Sequence, residues 1–313
     1  MRVLITGVAG FIGSHLAERL LKRGDEVWGI DNFNDYYNPE RKWDNIRTAQ
    51  QEKNFQLVYA DIRDRDLMLA LIDNVQPEAI VHLAAMAGVR YSVAHPEIYT
   101  SVNINGSQNL LDGARKVKGC RSFVFASTSS IYGSTKTIPF IESDSALEPP
   151  QPYAATKRAI ELLGYTYHKL YNLSFTATRF FTVYGPRGRP DMMPMLLAHS
   201  IVTGEAIPYY GERMSRDWTF VSDIVSGLVS AVDKPLGYEI LNLGRGQPVK
   251  LSEFITTMEE VAGAKANLIL QDKPAADVYQ TFADCSKANR LLNYEPQVSV
   301  SQGVKLFWDW YNR

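Results

Sequence analysis

Tyr153 and Lys157 stand four residues apart in the stretch Tyr153-Ala154-Ala155-Thr156-Lys157. On a helix that spacing puts a phenol and an ammonium on one face, one turn from each other. A neighbouring positive charge favours phenolate, so the pair predicts a tyrosine that titrates below its ordinary value of about 10 and acts as a base near neutral pH. Spacing alone does not select it, because Tyr132/Lys136 and Tyr165/Lys169 repeat the pattern. The first of these is interrupted by Gly133 and Pro139, so its members need not share a helix face. The second lies on the same predicted helix as Tyr153, about 18 Å further along at 1.5 Å per residue. Only one of the two can face a given site, and the rest of the chain has to choose.

Composition narrows the setting. The 313 residues are 45% hydrophobic and 21% charged, enough for one large soluble domain or two unequal lobes. A formal net charge of -1 gives no electrostatic case for nucleic acid or an anionic membrane, so an anionic ligand must be met by local cations. Cys120 and Cys285 are isolated, which fits a reducing compartment and argues against a disulfide framework or a thiolate metal site. The histidines lack paired-ligand spacing, and His82 in its apolar run reads as core, so no metal is expected. The start shows no targeting pattern and no run approaches about 18 apolar residues, so the expectation is a cytoplasmic protein without a membrane span.

The elements that must position the tyrosine can be followed in order. Val3-Leu4-Ile5-Thr6 is a short apolar run ending in Gly7-Val8-Ala9-Gly10-Phe11-Ile12-Gly13, after which Leu16, Ala17, Leu20 and Leu21 recur at helical spacing. Strand, glycine turn and helix make a dinucleotide cradle: Gly7 for the turn, Gly10 for approach to a pyrophosphate, Gly13 for helix packing, with Phe11 and Ile12 between them. A second strand, Glu26-Val27-Trp28-Gly29-Ile30, ends in Asp31, a carboxylate placed to accept from an adenosine ribose and to repel a 2′-phosphate. NAD is therefore expected over NADP, with Asn32 beside it. Residues 32–43, with Tyr36, Tyr37 and Trp43, read either as a loop covering the cofactor or as a surface loop. Phe55-Gln56-Leu57-Val58-Tyr59 is a third strand, followed by Asp61-Ile62 for an adenine edge and face. Residues 79–85 read as a fourth strand, apolar enough to be covered on both faces, ending in Leu83-Ala84-Ala85.

Arg90 follows in a loop at the ligand edge, either meeting a substrate anion or lying in solvent. A helix from about Pro96 carries Asn103 among apolar neighbours, where its amide needs buried partners. The fifth strand, Ser122-Phe123-Val124-Phe125-Ala126, delivers Ser127-Thr128-Ser129-Ser130 to the same edge. Tyr153 opens a helix after the proline-rich stretch 148–152, where a start is expected, so Thr128 and Tyr153 can converge over a nicotinamide. In the second half a strand from Phe175 to Phe181 leads to Thr182 and a Gly/Pro loop carrying Arg187 and Arg189, fixed donors for carboxylate or phosphate. Arg216 begins a strand through Phe220, and residues 262–284 read as irregular.

The glycine turn, Asp31, Asp61-Ile62, Leu83-Ala84-Ala85, Asn103, Ser127-Thr128-Ser129 and Tyr153/Lys157, in this order, resemble the extended short-chain dehydrogenase/reductase family over essentially the whole chain. Within it, Ala87-Gly88-Val89-Arg90-Tyr91-Ser92, Tyr153-Ala154-Ala155-Thr156-Lys157, Arg179-Phe180-Phe181-Thr182-Val183-Tyr184-Gly185-Pro186 and Gly188-Arg189-Pro190-Asp191-Met192 are similar to the UDP-glucuronate 4-epimerases. The resemblance implies a Rossmann-type doubly wound parallel α/β sheet with a smaller, partly interleaved C-terminal substrate lobe. Residues 1–180 would hold mainly NAD and residues 181–313 mainly a UDP-hexuronic acid, with some segments returning to the first domain, in a homodimer. It implies Thr128 as the catalytic hydroxyl, with Ser127 and Ser129 beside it, and Lys157 holding the phenolate and the nicotinamide ribose. Arg90, Thr182, Arg189, Arg216 and Asp277 would contact the substrate. Dehydratases of the superfamily resemble Thr-Asp-Glu where this chain has Thr128-Ser129-Ser130, and the missing acid/base near C5 points to epimerisation. Ala275-Ala276 stand before Asp277 where the family often has Arg and Gly, so one phosphate contact is expected to be absent. A UDP-glucose/galactose epimerase or a UDP-glucuronate decarboxylase is the neighbouring enzyme reading, and an NAD-sensing regulatory protein the non-enzyme one.

Overall fold

Short apolar runs alternate with amphipathic segments through the first half of the chain, and the computed structural model, which describes residues 1–144, 148–274 and 277–313, assembles them into one parallel sheet. Its strands are β1 (Arg2–Thr6), β2 (Glu26–Asp31), β3 (Phe55–Tyr59), β4 (Ala79–His82), β5 (Ser122–Thr128), β6 (Phe175–Phe180) and a seventh, Tyr238–Leu243. The spatial order is seventh strand, β6, β5, β4, β1, β2, β3. The order reverses where β1 pairs with both β2 and β4, and at such a switch the loops after the strands diverge and leave a crevice.

Side-chain alternation explains why both faces are covered. Val3 and Ile5 of β1 join Val27, Val81 and Val124 in one core, while Leu4 joins Ile30, Ile80, Phe123 and Phe125 in the other. The helix α1 (Phe11–Arg23) buries Leu16, Ala17, Leu20 and Leu21 and stops at Gly24, whose φ of 93° the left-handed cap requires.

The structure departs from the sequence expectations at several places. Residues 32–43 are not all loop: Asn38 accepts from Glu40 N at 2.9 Å and Pro39 follows it, so helix α2 (Pro39–Ile46) starts there. The fourth strand ends at His82 rather than reaching residue 85, although Leu83 N still donates to Thr6 O at 3.1 Å and Ala84 N to Thr6 Oγ1 at 3.2 Å. The helix expected from Pro96 is Pro96–Tyr99, a wider π turn over Thr100–Gly106, and Ser107–Ala114. Strand 216–220 is broken at Asp217, whose fully buried carboxylate accepts from the backbone N–H of Arg245, Gly246 and Ala283. Ser215–Arg216 therefore pairs with Val249–Lys250, and Trp218–Phe220 pairs with Thr182–Tyr184. Within the stretch expected to be irregular, Asn267–Leu270 forms a parallel pair with Ala206–Tyr209.

The seventh strand and the helix Val221–Asp233 come from the second half of the chain yet pack with the first, through Arg23–Asp233 at 2.7 Å and Ser122 Oγ donating to the Ala231 carbonyl at 3.0 Å. No described helix is long and apolar enough to cross a membrane.

Candidate active site

The glycines act through close approach. Gly7 has φ 71°, and a Cβ there would lie 2.7 Å from Ala84 N; a Cβ on Gly13 would lie 2.1 Å from the Gly7 carbonyl oxygen. Turn, helix start and the 83–85 loop are thereby held together, and no side chain caps α1. Gly7, Gly10, Phe11, Ile12 and Gly13 line a cavity of about 450 Å³ that Leu83, Ala84 and Ala85 also border.

Asp31, Asn32, Asp61 and Ile62 line the same cavity. The Asp31 carboxylate accepts from Ala9 N at 3.0 Å and Phe33 N at 2.9 Å, leaving each oxygen a further lone pair. Burial pushes its pKa up, against those N–H groups and the charge of Lys42. Asp61 is held at about 2, chiefly by hydrogen bonds from Arg63, and accepts from Asn32 Nδ2 at 2.9 Å. An uncapped helix start and a buried carboxylate at one strand end fit the pyrophosphate and adenosine ribose of a dinucleotide. Asn103 is not among the lining residues: its amide accepts from Met86 N at 2.8 Å and donates to Met86 O and Thr156 Oγ1, each at 3.1 Å. It ties the 86 loop to the Tyr153 helix from behind the cavity wall.

Tyr153 sits in the first turn of the helix Pro152–Tyr171, with Pro152 at its opening position. Its phenol shares a hydrogen bond with Thr128, and its ring meets Tyr99 edge-on at 6.2 Å. Thr128 Oγ1 also accepts from Ser130 N at 3.1 Å and lies 3.2 Å from Ser130 Oγ. Ser127 is committed elsewhere: its hydroxyl donates at 2.6 Å to the fully buried Glu161, which two arginines, Arg179 and Arg158, also hold. Ser129 borders the cavity beside Thr128. Neither rival tyrosine lines it, since Tyr132 donates to Asn242 Oδ1 at 2.7 Å inside the core and Tyr165 is 47% exposed.

The electrostatics correct one expectation. Burial pushes the Tyr153 phenol above its ordinary range, outweighing the opposing hydrogen bond from Thr128 and the charge of Arg189. Lys157 donates to the Ala126 carbonyl at 2.7 Å and lies over the Phe125 ring, and burial brings it down to about 7. Desolvation is the largest influence on both groups. In the cofactor-free protein the folded state thus releases the Lys157 proton near pH 7, while an unfolded chain keeps it to about 10.4. Between those values the unfolded state binds more protons, so stability rises with pH, by up to about 1.4 kcal/mol per unit. Urea titrations are expected to show the wild type gaining on Lys157→Met from pH 7 to 9; parallel curves would contradict a lysine held neutral by burial.

A second cavity of about 310 Å³ is lined by Arg90, Tyr210, Arg216, Trp218 and Asp277. Arg90 is paired with Asp277 at 2.9 Å and donates to Tyr210 Oη at 3.0 Å. Arg216 spends one nitrogen on the Ser215 and Tyr279 carbonyls, and among the described residues no carboxylate lies within ion-pair distance of it. Ala275 and Ala276 lie outside the described residues. Val89, Ser129, Ser130, Thr182 and Met192 border both cavities, a shared wall with hydroxyls and no carboxylate among the described residues. Arg189 lines the first cavity, and its Nε and Nη2 donate to Asp191 at 3.0 Å each.

Tyr36 and Tyr37 border the first cavity, whereas Trp43 stacks on Phe33 at 3.8 Å instead. Sequence reasoning missed Lys42, which lines the cavity at 5% exposure and donates to Asn34 O at 2.7 Å and Asn34 Oδ1 at 2.6 Å. Its only signal was a place in the capped helix α2, since a lysine in a polar stretch ordinarily reads as solvated.

Residues 4–307 match the family model described as GDP-mannose 4,6 dehydratase. The chain is 42% identical over 309 residues to the UDP-glucuronate 4-epimerase of Thermodesulfobacterium geofontis, covering 98% of this chain and 95% of that protein. Among solved structures it superposes with a TM-score of 0.93 at 33% identity on a UDP-glucuronic acid 4-epimerase from Bacillus cereus in complex with UDP-glucuronic acid and NAD, covering 100% of this chain and 99% of that one. A UDP-glucose 4-epimerase from Thermotoga maritima, with UDP-glucose, superposes with a TM-score of 0.91 at 29% identity, covering 100% and 99%.

Proposed function

We infer that this chain, which belongs to the GDP-mannose 4,6 dehydratase family, is an NAD-dependent isomerase that interconverts UDP-glucuronate and UDP-galacturonate by epimerisation at C4. The observation that carries the reading is the Thr128–Tyr153 pair in a cavity bordered by Asp31 and the glycine turn, and also by Arg189 and Thr182. A dehydratase needs an acid/base to remove the C5 proton, and among the described residues the wall shared by the two cavities offers the hydroxyls of Ser129, Ser130 and Thr182 and no carboxylate. Arg189, a cation whose charge reaches the Tyr153 phenol, favours a uronate over UDP-glucose.

In this reading the glycine turn, Asp31, Asn32, Asp61, Ile62 and the 83–85 loop hold NAD, and Asn103 braces the wall behind it. Bound NAD⁺ supplies the acceptor for the C4 hydride, its return from the reduced form, and a positive charge that favours the Tyr153 phenolate. Tyr153 takes the C4 hydroxyl proton, and Thr128 hydrogen-bonds that oxygen so that the proton leaves along a fixed line. Lys157 stabilises the phenolate and holds the ribose. The 4-keto sugar then presents its other face to the same chemistry. Arg216 and Arg90, the latter steadied by Asp277, receive the UDP diphosphate, and Thr182 and Arg189 receive the uronate carboxylate.

Residues 1–180 serve mainly the cofactor and 181–313 mainly the UDP-sugar, with the segment 221–243 returning to the first domain. The protein works in the cytoplasm as a homodimer. The free cysteines and the exposed Leu162, Tyr165 and Leu170 along one helix support this, and the mass of the purified protein by light scattering tests the assembly. The functional test is conversion of UDP-glucuronate to UDP-galacturonate with no net rise in NADH absorbance. Stoichiometric NADH accumulation would make the protein a dehydrogenase.

A further inference from the structure

The loop that carries Arg189 is fastened to the cofactor helix. His15 Nε2 lies 2.9 Å from the Pro186 carbonyl oxygen, and since a carbonyl only accepts, that nitrogen carries the proton. Three residues along α1, Glu18 Oε1 accepts from Arg187 Nη2 at 2.7 Å. His15 and Glu18 share one face of the helix whose first turn lines the dinucleotide cavity. Arg187 sits at φ 66°, a left-handed conformation that a non-glycine residue keeps only where its surroundings impose it. The loop thus has one arginine as an anchor and, two residues on, another that borders the cavity.

We propose that Glu18 and His15, acting through Arg187 and Pro186, are positioning residues for Arg189, so that the helix cradling the dinucleotide also governs whether the oxidised substrate keeps its carboxylate. The proposal rests on the carboxylate role given to Arg189 above. In a 4-keto hexuronate the C5–C6 bonding pair can move into an enolate spanning C5, C4 and the C4 oxygen. CO₂ leaves, and C5 then takes up a proton. That path needs the sugar ring to pucker until C5–C6 stands perpendicular to the carbonyl plane, and a guanidinium fixed on the carboxylate opposes that movement. A loop released from α1 leaves Arg189 attached to the chain but no longer fixed.

The test uses the full-length protein with NAD and UDP-glucuronate, measuring CO₂ and UDP-pentose beside UDP-galacturonate. Glu18→Gln and Arg187→Met are each expected to raise the decarboxylated share about tenfold, the scale of one charge-assisted hydrogen bond. NAD affinity and melting temperature should stay near wild type, and the charge-swapped pair Glu18→Arg/Arg187→Glu should return the share toward wild type. His15→Ala, which deletes the Pro186 contact together with the edge-on packing of the ring on Phe11, gives the same reading without touching the ion pair. Slower epimerisation with an unchanged product share would make these contacts merely structural and overturn the proposal. If Arg189→Ala releases CO₂ while the anchor variants do not, the positioning role alone fails. If Arg189→Ala releases none, the carboxylate role fails first and this proposal with it.

Discussion

Replacing Tyr153 by Phe is expected to lower turnover of UDP-glucuronate about 10³-fold while leaving NAD binding within a few-fold of wild type. The substitution deletes one oxygen, the one bonded to Thr128. It keeps the ring that meets Tyr99 edge-on at 6.2 Å, and it leaves Lys157 on the Ala126 carbonyl at 2.7 Å. Neither the glycine turn nor Asp31 touches the phenol, so the dinucleotide end is unchanged. Among the described residues bordering the cavity no other ionisable group shares a hydrogen bond with Thr128, so nothing replaces the base. The check is product formation by chromatography together with NAD retained after gel filtration. Activity within tenfold of wild type would remove Tyr153 from the proton transfer.

Arg189→Ala is expected to change which product forms. Asp191 takes the Nε and Nη2 edge of the guanidinium, which leaves the Nη1 side with donors for a ligand carboxylate. Thr182 borders the same cavity and supplies a hydroxyl from the side where the two cavities meet. Charge-assisted hydrogen bonds of this kind contribute about 1.5–3 kcal/mol, so their loss corresponds to roughly 10–100-fold in retention of the carboxylate. The variant should therefore bind UDP-glucuronate more weakly and release CO₂ with a UDP-pentose beside any UDP-galacturonate. Unchanged affinity with no CO₂ would remove Arg189 from this role, and unchanged behaviour of Thr182→Val would remove Thr182.

Local pattern carried the features that depend on near neighbours. The strand, the glycine turn and the helix behind it occupy adjacent residues, so Gly7, Gly10 and Gly13 could be read before any contact was known. The strand-end carboxylate of Asp31 and the helical pairing of Tyr153 with Lys157 follow from the same short-range geometry. The Asn38 cap was equally local, and was passed over because aromatic residues among polar ones look like loop.

What stayed out of reach depends on distant segments. The seventh strand pairs with β6 residue for residue from Tyr238 opposite Phe175, yet nothing near it marks it as part of the main sheet. Arg90 meets Asp277 across 187 positions, which turns an exposed cation into half of an ion pair. Ser127 looked as available as Thr128 until Glu161, 34 residues on, took its hydroxyl. Residue types and short spacings by themselves pointed to the dinucleotide fold and to NAD, because these rest on hydrogen-bonding geometry within a few residues, whereas preferring Tyr153 to Tyr132 and Tyr165 needed the proline-rich helix start and the hydroxyls after the fifth strand. Only the tertiary structure decided which hydroxyl the tyrosine meets, which arginine borders the cavity and which is its anchor, and that burial rather than Lys157 governs the phenol. Desolvation is a property of everything packed around a group, and no stretch of sequence contains it.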